Sequence, residues 1–399
     1  MRILICASDA PLAPRTTGFR RQLTGLRAEL GKAHDVRLIG YRMPDQERPT
    51  SVEASEMRIV DYARPSALDN ARDLTLSTIR RTPLRADRLV SGLRQPLVEE
   101  IERFQPDVVH VGPGKLAGLL KDVKGLPAVL GVMDTWHLNV EARALTVGGL
   151  RRALLGLDAQ RIRRFEATQY RGWDRVVTSN TGDRDELRAL DPALPFDIIP
   201  IGFDASAYAP DPGAERDPSR IIFHGAMNYA PNVVCVEYLA QKVLPRVRAV
   251  RADAHLVIVG RDPSPRVRAL EALDGVKVPG EVDDMRAWLT GSRVWAGPFS
   301  SGTGIKTKLL EAMATDLPAV VTPLGHRGLD IVSGRDLLVG STAEELAAHL
   351  IRVLEDDAFA RTLGETGGAF VRDGYDWPVV AASHVRLYGE VIAEKAVMR

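Results

Sequence analysis

Short apolar runs alternate with amphipathic stretches along the first half of the chain. The first such pair is an apolar run at Arg2–Ala7 and helical spacing from Gly18 to Leu30. Alternating strands and helices are typical of a parallel sheet covered by helices, so this half is predicted to be a doubly wound α/β domain. The further predicted strands are Asp35–Ile39, Met57–Val60, Asp107–Val111, Pro127–Val132, Arg175–Thr178 and Phe196–Pro200.

The same alternation returns in the second half, after a turn-rich segment from Pro200 to Gly213 that predicts a domain boundary. We therefore expect one domain over residues 1–203 and a second over 204–376. A last helix, at about 377–399, is expected to pack back on the first domain. The predicted strands of the second domain are Arg220–His224, His255–Val259, Val276–Pro279, Arg293–Ala296 and Pro318–Val321. Helices are predicted from Val233, after Asp283 as N-cap, and over Ala343–Asp356.

Two arginine-rich stretches interrupt the alternation of the first half. Arg72–Arg94 is basic and poorly patterned, and only Pro96–Phe104 after it is predicted as a helix. Leu150–Arg171 reads as one long basic helix, and Asp183–Leu190 as a shorter one. Charged faces of this kind are usually solvated, but they also suit an anionic lipid surface.

Composition narrows the class of protein. A chain of 399 residues with 45% hydrophobic and 26% charged residues is typical of a globular protein with two domains. The net charge of +1 gives no case for nucleic acid, although residues 1–200 sum to +5 and residues 201–399 to −4. Cys6 and Cys235 lie in or beside apolar runs without metal-ligand spacing, which indicates buried thiols in a reducing compartment. Because the first apolar run is short and none reaches about 18 residues, we expect a cytoplasmic protein.

The segment Gly297–Asp330 carries the most chemistry. A loop of small residues, Ser300–Gly304, leads into a helix with Lys306, Lys308 and Glu311 and then into an apolar strand. A glycine-rich loop before a helix presents backbone N–H groups to an anion such as phosphate. Since Lys308 and Glu311 are three residues apart, they share a helix face, where they suit a diphosphate and ribose hydroxyls. The alternative is an ordinary capped helix start exposed to solvent.

Several motifs occur together in one order, and the chain resembles a known family through them. They are FHGAMNYAPN, VGRDP, PGEVDDM and GTGIKTKLLEAMA, preceded by PIGFDASAYAP and followed by YDWPVVAASHVRLYGEV. In this order and spacing they are similar to retaining glycosyltransferases of the GT-B type, in the large family-four group. The resemblance covers nearly the whole chain and is most specific from Phe223 to Asp330.

The resemblance implies two facing Rossmann-like domains with an interdomain donor cleft and a nucleotide-diphosphate sugar as donor substrate. The implied acceptor is a glycan, a lipid-linked molecule or a small molecule, and a lipid-linked acceptor is consistent with peripheral membrane contact. Neither a cofactor nor a metal is expected. Asp134 and His137 are the implied catalytic candidates. The implied donor-binding residues are Gly18, Gly225, Met227, Asn228, Arg261, Val282, Gly302, Thr303, Gly304, Ile305, Lys306, Lys308 and Glu311.

By position, the resemblance implies that Glu311 binds the ribose, Lys308 the diphosphate and the loop of Val282 the base. Two departures from the family pattern concern the sugar and the phosphates. Thr303 stands where better-known relatives have a glutamate, and Met227-Asn228-Tyr229 stands where they often have an arginine and a lysine. Lys306 and Lys308 are expected to supply the missing positive charge. The implied reaction retains the anomeric configuration and stabilises the leaving group with helix N-termini and lysine.

Other functions fit single features of the sequence. Gly112–Ala117 matches G-x-G-x-x-A with Asp134 about twenty residues on, which would suit a dinucleotide-dependent oxidoreductase. That fingerprint usually sits at the first strand–helix turn, and here it does not. A nucleotide-sugar epimerase, a phosphorylase and a non-catalytic peripheral membrane protein are further alternatives. His110 is a weaker catalytic candidate than His137. The donor base, the sugar and the acceptor are not specified by the sequence.

Overall fold

The structure is a computed structural model that describes residues 1–13, 17–50, 56–84, 86–211, 213–301 and 305–398. It divides into two compact units. Unit 1 comprises Met1–Gly202 and Trp377–Arg399, and unit 2 comprises Phe203–Asp376. The boundary predicted at residues 203 and 204 differs from this division by one residue.

Unit 1 contains a seven-stranded sheet in which every neighbouring pair is parallel, with the order β3-β2-β1-β4-β5-β6-β7. The order reverses between β1 and β4, where a doubly wound sheet opens a crevice at its carboxyl edge. The central strand that contains Val108–Gly112 is fully buried because helices cover both faces of the sheet. The strands are β1 Arg2–Ala7, β2 Asp35–Arg42, β3 Met57–Asp61, β4 Val108–Gly112, β5 Ala128–Val132, β6 Arg175–Thr178 and β7 Phe196–Ile198.

The helices of the first 202 residues follow the strands, and several begin at a capping side chain. The Thr17 hydroxyl accepts from the Arg20 backbone N–H at the first helix, and the Asn180 side chain accepts from Asp183 N–H at the sixth. The helices are α1 Gly18–Leu30, α2 Ala67–Arg80, α3 Ala86–Phe104, α4 Trp136–Leu145, α5 Gly149–Gln169 and α6 Thr181–Leu190, with a 3₁₀ helix at Gly114–Asp122.

The prediction of a poorly patterned stretch at Arg72–Arg94 is wrong, because most of its residues belong to α2 and α3. Arg88 pairs with Asp73 at 2.9 Å and so ties the two helices together. Arg94 pairs with Asp122 at 2.9 Å. Pro96 lies inside α3 instead of starting a helix. The ion pairs use up much of the charge that made the stretch look like an unstructured basic surface.

Unit 2 contains a six-stranded parallel sheet with the order β10-β9-β8-β11-β12-β13. Trp295 is fully buried at its centre, where it stacks on Phe223 and packs against Phe299. The strands are β8 Arg220–His224, β9 His255–Val259, β10 Val276–Gly280, β11 Val294–Gly297, β12 Ala319–Val321 and β13 Leu338–Val339. The helices are α7 Ala230–Tyr238, α8 Leu244–Arg248, α9 Pro265–Arg268, α10 Met285–Thr290, α11 Thr307–Ala314, α12 Ala343–Glu355 and α13 Asp357–Tyr375. Shorter turns are the 3₁₀ helices Ser206–Tyr208 and Ala269–Ala272 and the π turn Leu239–Val243.

One predicted cap is wrong. The residue that caps α10 is Asp284, whose side chain accepts from the Ala287 backbone N–H, and not Asp283. Adjacent aspartates make the two positions indistinguishable by composition. The helix α13 was not predicted, because glycines in its interior obscure the helical pattern.

The last helix, α14 Trp377–Val397, belongs to unit 1 and packs against α1. The indole of Trp377 lies between Gly25 and Gly202, since a Cβ added at either glycine would come within 2.1 Å of the ring. The Gln22 side chain donates to Gly202 O and accepts from Gly202 N–H, both at 2.8 Å. These contacts fix the chain at the point where it leaves and re-enters unit 1.

Two further properties concern the whole of the described chain. Within the described ranges no helix is long and apolar enough to cross a membrane. Cys6 and Cys235 are buried free thiols, and burial raises the pKa of Cys6 to about 12, so it is an unreactive thiol.

Candidate functional site

The loops after β8, β9 and β10 are joined to one another at the carboxyl edge of the second sheet. Gly225 N–H donates to Val259 O at 3.0 Å, and Gly260 N–H donates to Gly280 O at 2.7 Å. Gly260 has φ +145°, and a Cβ there would lie 1.8 Å from Gly225 O. Only glycine fits this position, so the close approach of the three strand ends depends on it.

A hydrogen-bonded chain of three side chains crosses from the core of unit 2 to this edge. The Trp295 indole N–H donates to His224 Nδ1 at 3.0 Å. Because Nδ1 accepts that bond, the imidazole proton lies on Nε2, which donates to Glu311 Oε2 at 2.7 Å. Glu311 is half-buried on α11, and His224 is almost fully buried. The bond to His224 therefore holds one oxygen of the Glu311 carboxylate in a fixed position.

The second charged group at this edge is Lys308, one turn before Glu311 on the same helix. Its ammonium donates to Asn232 Oδ1 at 2.8 Å, and the Asn232 amide donates to Ala226 O at 2.8 Å. The ammonium also lies over the rings of Phe223 and Phe299, at 5.8 and 5.4 Å from the centroids. Burial lowers the pKa of Lys308, with small opposing contributions from Cys235 and Glu311. Such a partly desolvated cation gains most when an anion binds beside it.

Lys306 stands immediately before α11 and is 9% exposed. Burial, together with the neighbouring positive charges of Lys308 and Arg327, lowers its pKa to about 8. Lys306, Lys308 and Arg327 together make a local positive field. The arrangement fits a phosphate-bearing ligand.

The structure places the other predicted donor residues of unit 2 around this edge in different ways. Met227 is fully buried, and its backbone bonds to Arg261 O and to Ser264 N–H, so it supports the loops without lining the edge. Asn228 and Arg261 are exposed, while Gly225, Val282 and Ile305 are half-buried. Gly302, Thr303 and Gly304 lie outside the described residues. The structure thus brings together Gly225, Lys308 and Glu311 most directly, since a Cβ at Gly225 would lie 3.1 Å from Lys308 Cε.

Three predicted site residues lie in unit 1, at its sheet's carboxyl edge. Gly18 is the exposed first residue of α1, and a Cβ there would meet nothing within 4 Å. Asp134 follows β5 and is exposed. Protein surrounds its carboxyl group closely enough that desolvation raises its pKa, and the Asp183 carboxylate raises it further. Asp134 stays a prediction as a catalytic or sugar-positioning group.

His137 has a structural environment. It is fully buried in the first turn of α4, with Nδ1 2.5 Å from Glu166 Oε2 and Nε2 3.2 Å from Glu186 Oε1. Burial acts to lower its pKa, but the hydrogen bond and charge of Glu166 and the bond to Glu186 outweigh it, so the pKa is raised. An imidazolium donating to both carboxylates joins α4 to α5 and α6. Protein thus encloses His137 in this structure, and the catalytic role implied by the resemblance stays a prediction.

The glycine pattern at Gly112–Ala117 does not form the turn of a dinucleotide site. It follows β4, a central strand, and leads into the 3₁₀ helix Gly114–Asp122 in place of an α-helix. The pyrophosphate of a dinucleotide binds at an α-helix N-terminus after the first strand, and this segment offers neither feature. Within the described residues no group of three or more His, Cys, Asp or Glu side chains is placed to hold a metal ion.

Sequence reasoning missed His224, Trp295 and Asn232. His224 and Trp295 lie in apolar strands, where a polar side chain signals a specific partner, but the partner of His224 is 87 positions away. Asn232 is 1% exposed in the first turn of α7, and such a buried amide must find partners. Those signals mark the residues as unusual without identifying Glu311 or Lys308 as what they contact.

Comparison with known proteins gives a family match within unit 2. The profile of the family described as "Glycosyl transferases group 1" matches residues 218–356. This range contains β8 to α12, including His224, Lys308 and Glu311. The match therefore falls on the part of the chain that forms the candidate site.

Two curated proteins are similar in sequence. A GDP-mannose-dependent monoacylated alpha-(1-6)-phosphatidylinositol monomannoside mannosyltransferase of Corynebacterium glutamicum is 26% identical over 46% of this chain and 54% of its own. The aligned part of this chain thus spans about half the length of that relative. An MMP alpha-(1->4)-mannosyltransferase of Mycolicibacterium hassiacum is 29% identical over 95% of both chains.

A sucrose-phosphate synthase of Thermosynechococcus elongatus has a similar solved structure. Its TM-score is 0.64 at 16% identity, over 99% of this chain and all of that one. At this identity the likeness concerns the fold. The predicted fold class, two Rossmann-like domains with parallel sheets as in GT-B proteins, is confirmed.

Proposed function

We propose, from the match of residues 218–356 to the glycosyl transferases group 1 family, that the chain transfers a sugar from a nucleotide-diphosphate sugar to an acceptor hydroxyl with retention of configuration. The observation that carries the proposal is the paired placement of Lys308 and Glu311. Both project from one turn of α11 at the carboxyl edge of the sheet, and each is oriented by a buried partner, Asn232 and His224 respectively.

The proposed donor contacts follow from charge and hydrogen-bonding capacity. Lys308 contributes a desolvated cation for the diphosphate, and Lys306 adds a second one nearby. Glu311 offers a carboxylate oxygen that can accept from two neighbouring ribose hydroxyls, which are donors in fixed geometry. The loop of Val282, beside Gly280 with φ +86°, offers backbone groups to the base. No metal or organic cofactor takes part in the reaction as we propose it.

The proposed chemical step exchanges one bond for another at the anomeric carbon. The bond from that carbon to the β-phosphate oxygen breaks, a bond to the acceptor oxygen forms on the same face, and the acceptor hydroxyl proton passes to the departing phosphate oxygen. Negative charge develops on the leaving nucleoside diphosphate, where Lys306 and Lys308 stabilise it. Which protein side chain contacts the sugar in this step stays a prediction, and Asp134 is the candidate.

The Corynebacterium glutamicum relative is named as GDP-mannose-dependent, which makes GDP-mannose the first donor to test. The test is a thermal-shift panel of GDP, UDP, ADP, dTDP, GDP-mannose and NAD on the wild type, on Glu311→Gln and on Glu365→Gln as a matched control. Glu365 is exposed on α13, away from the candidate site. A ligand at about 100 times its dissociation constant adds about 2.7 kcal/mol of stability. We expect one nucleoside diphosphate to stabilise the wild type and the control and to fail with Glu311→Gln. A shift with NAD alone, or with no nucleotide, would refute the proposal.

We also propose that unit 1 contacts an anionic lipid surface through one face of α5. Leu150, Leu154 and Leu157 lie on one side of this helix and are 77%, 47% and 51% exposed. Arg151 and Arg152 beside them are exposed too, so apolar and cationic side chains occupy the same region. This combination is typical of helices that lie in a membrane interface.

Sedimentation with vesicles of anionic and of neutral lipid tests the membrane contact. We expect binding to the anionic vesicles only, and loss of binding in Leu150→Ser/Leu154→Ser. The control variant is Leu273→Ser, at an exposed leucine of unit 2. Equal binding by both variants, or no binding at moderate salt, would exclude this face as a lipid contact.

A further inference from the structure

Unit 1 contains a pocket of about 100 Å³ that the proposed donor site does not use. It lies beside the carboxyl ends of β1, β4, β5 and β6, under α1 and α14. Its walls are mostly apolar and include Phe19, Leu23, Leu26, Trp377 and Val380. An apolar cavity of about 150 Å³ in another protein holds a molecule the size of benzene, so this smaller space suits a group of at most about six carbon atoms.

Two histidines contribute to the polar part of this pocket, which Gln22, Thr178 and Ser179 also line. His110 and His384 both line it, with their rings stacked at 5.8 Å between centroids. His384 Nδ1 donates to Val380 O at 2.9 Å, because a carbonyl only accepts. The Nε2 atom of His384 is therefore an acceptor. It has no hydrogen-bond partner among the described residues. It is also not one of their fully buried polar atoms, so it keeps some accessible surface.

His110 offers the pocket a hydrogen-bond donor, whereas His384 offers an acceptor. Its Nδ1 lies 2.6 Å from the hydroxyl of Tyr388, which is fully buried and has this nitrogen as its partner. The hydroxyl must place its proton, so it donates to Nδ1 and leaves the ring proton on Nε2. The Nε2–H of His110 is thus a donor. It also lacks a partner among the described residues and keeps some accessible surface. The pocket offers one donor and one acceptor from adjacent rings.

Both rings are uncharged at neutral pH. Burial lowers the pKa of His384 to about 4, and burial together with the neighbouring His384 lowers the pKa of His110 to about 3. None of the described residues that line the pocket is an aspartate, glutamate, lysine or arginine. A charged ligand group would lose its hydration here without a compensating partner, which is costly.

We propose that this pocket binds an uncharged, mainly apolar ligand group that carries one hydroxyl. The hydroxyl accepts from His110 Nε2–H and donates to His384 Nε2, while the carbon skeleton contacts Leu23, Leu26 and Trp377. The proposal goes beyond the proposed function, since nucleotide binding in unit 2 does not depend on this space. Neither an ether nor a carboxylate can make both hydrogen bonds.

The probes are 1-hexanol, its isomer 1-methoxypentane, hexanoate and hexylamine, with binding measured by ligand-observed NMR on the full chain at pH 7. We expect 1-hexanol to bind saturably, about five- to tenfold tighter than the isomeric ether, because one neutral hydrogen bond is lost with the ether. The two charged probes should bind at least tenfold more weakly. Equal binding of alcohol and carboxylate would overturn the proposal.

Two variants locate the site. Leu26→Trp fills the pocket and should abolish binding of 1-hexanol, whereas Leu68→Trp, at an exposed leucine of α2, should not. His384→Phe keeps the ring but removes the acceptor, so alcohol and ether should bind equally well to it. This second comparison holds even where Leu26→Trp fails to fold. Retained alcohol binding in folded Leu26→Trp, or an undiminished preference for alcohol in His384→Phe, would overturn the assignment. The nucleotide panel on these variants should be unchanged, which separates this proposal from the proposed function.

Discussion

Replacing His224 by phenylalanine tests whether the buried chain from Trp295 orients Glu311. The variant keeps a ring of similar size in a side chain that is only 4% exposed. It removes the acceptor of the Trp295 N–H, which is buried at 0% exposure and would be left without a partner, at a cost of about 1–3 kcal/mol. It also removes the donor to Glu311, a bond to a charged group worth about 1.5–3 kcal/mol when both partners are ordered.

Two measurements separate these effects. Chemical denaturation should show the loss of unfolding free energy, and titration with the stabilising nucleotide should show a dissociation constant raised about tenfold, which corresponds to about 1.4 kcal/mol. The double variant His224→Phe/Trp295→Phe removes the unpaired N–H. Its loss of unfolding free energy should therefore be smaller than the sum of the two single losses by about 0.5–3 kcal/mol. Its nucleotide affinity should stay as weak as that of His224→Phe.

The control for this experiment is His255→Phe at the opposite end of the neighbouring strand β9. His255 pairs with Asp217 at 3.3 Å and lies at the amino edge of the sheet. It should lose some stability and no nucleotide affinity. An unchanged nucleotide affinity in His224→Phe would refute the view that His224 positions Glu311. Equal weakening in His255→Phe would show that the effect is one of general stability.

Three further predictions concern single groups. Lys306 has a pKa of about 8, so nucleotide affinity should fall as pH rises through 8 because the cation is lost, and titrations of Lys306→Met should lack this step. Because the pKa of His137 is raised, the stability that its charged form contributes is full below pH 6.5 and is lost as pH rises through the folded-state pKa. His137→Ala leaves the buried Glu166 without its partner. In urea unfolding it should cost about 3–5 kcal/mol at pH 6 and less at high pH. Gly260→Ala forces a Cβ to within 1.8 Å of Gly225 O and should cost on the order of 3 kcal/mol by the same assay, whereas Gly389→Ala on α14, with open space, should not.

The strands of both sheets could be predicted from the sequence because they are short, apolar and bounded by turns. Every strand predicted in the second half overlaps an observed one, and Arg220–His224 and His255–Val259 match to the residue. The helices of residues 67–104 could not be predicted as well. Their apolar stripe is diluted by arginines whose partners, such as Asp122 for Arg94, are distant in sequence. Pattern recognition detects burial along one element and is blind to ion pairs between elements.

The residues of the candidate site likewise divide into those whose surroundings could be predicted from the sequence and those whose surroundings could not. Lys308 and Glu311 are close in sequence on one helix face, so their association followed from helical geometry. The surroundings of His137 could not be predicted, because a histidine near a strand end gives the same sequence pattern whether it faces solvent or two buried carboxylates. The sequence contains Glu166 and Glu186, but nothing in their spacing relates them to position 137. Only the packing of α4 against α5 and α6 brings the three together.

The packing around Asn232 explains how the proposed site manages without basic residues after β8. Asn232 holds the Lys308 ammonium with its carbonyl oxygen and the β8 loop, at Ala226 O, with its amide. Gly225 leaves room for this, because a Cβ would lie 2.9 Å from the Asn232 amide nitrogen. The segment after β8 therefore contributes by position, while the positive charge comes from α11. If this reasoning holds, Asn232→Leu should weaken nucleotide binding although it removes no charge, and an arginine introduced at exposed Asn228 should not restore it, because the misplaced group is Lys308.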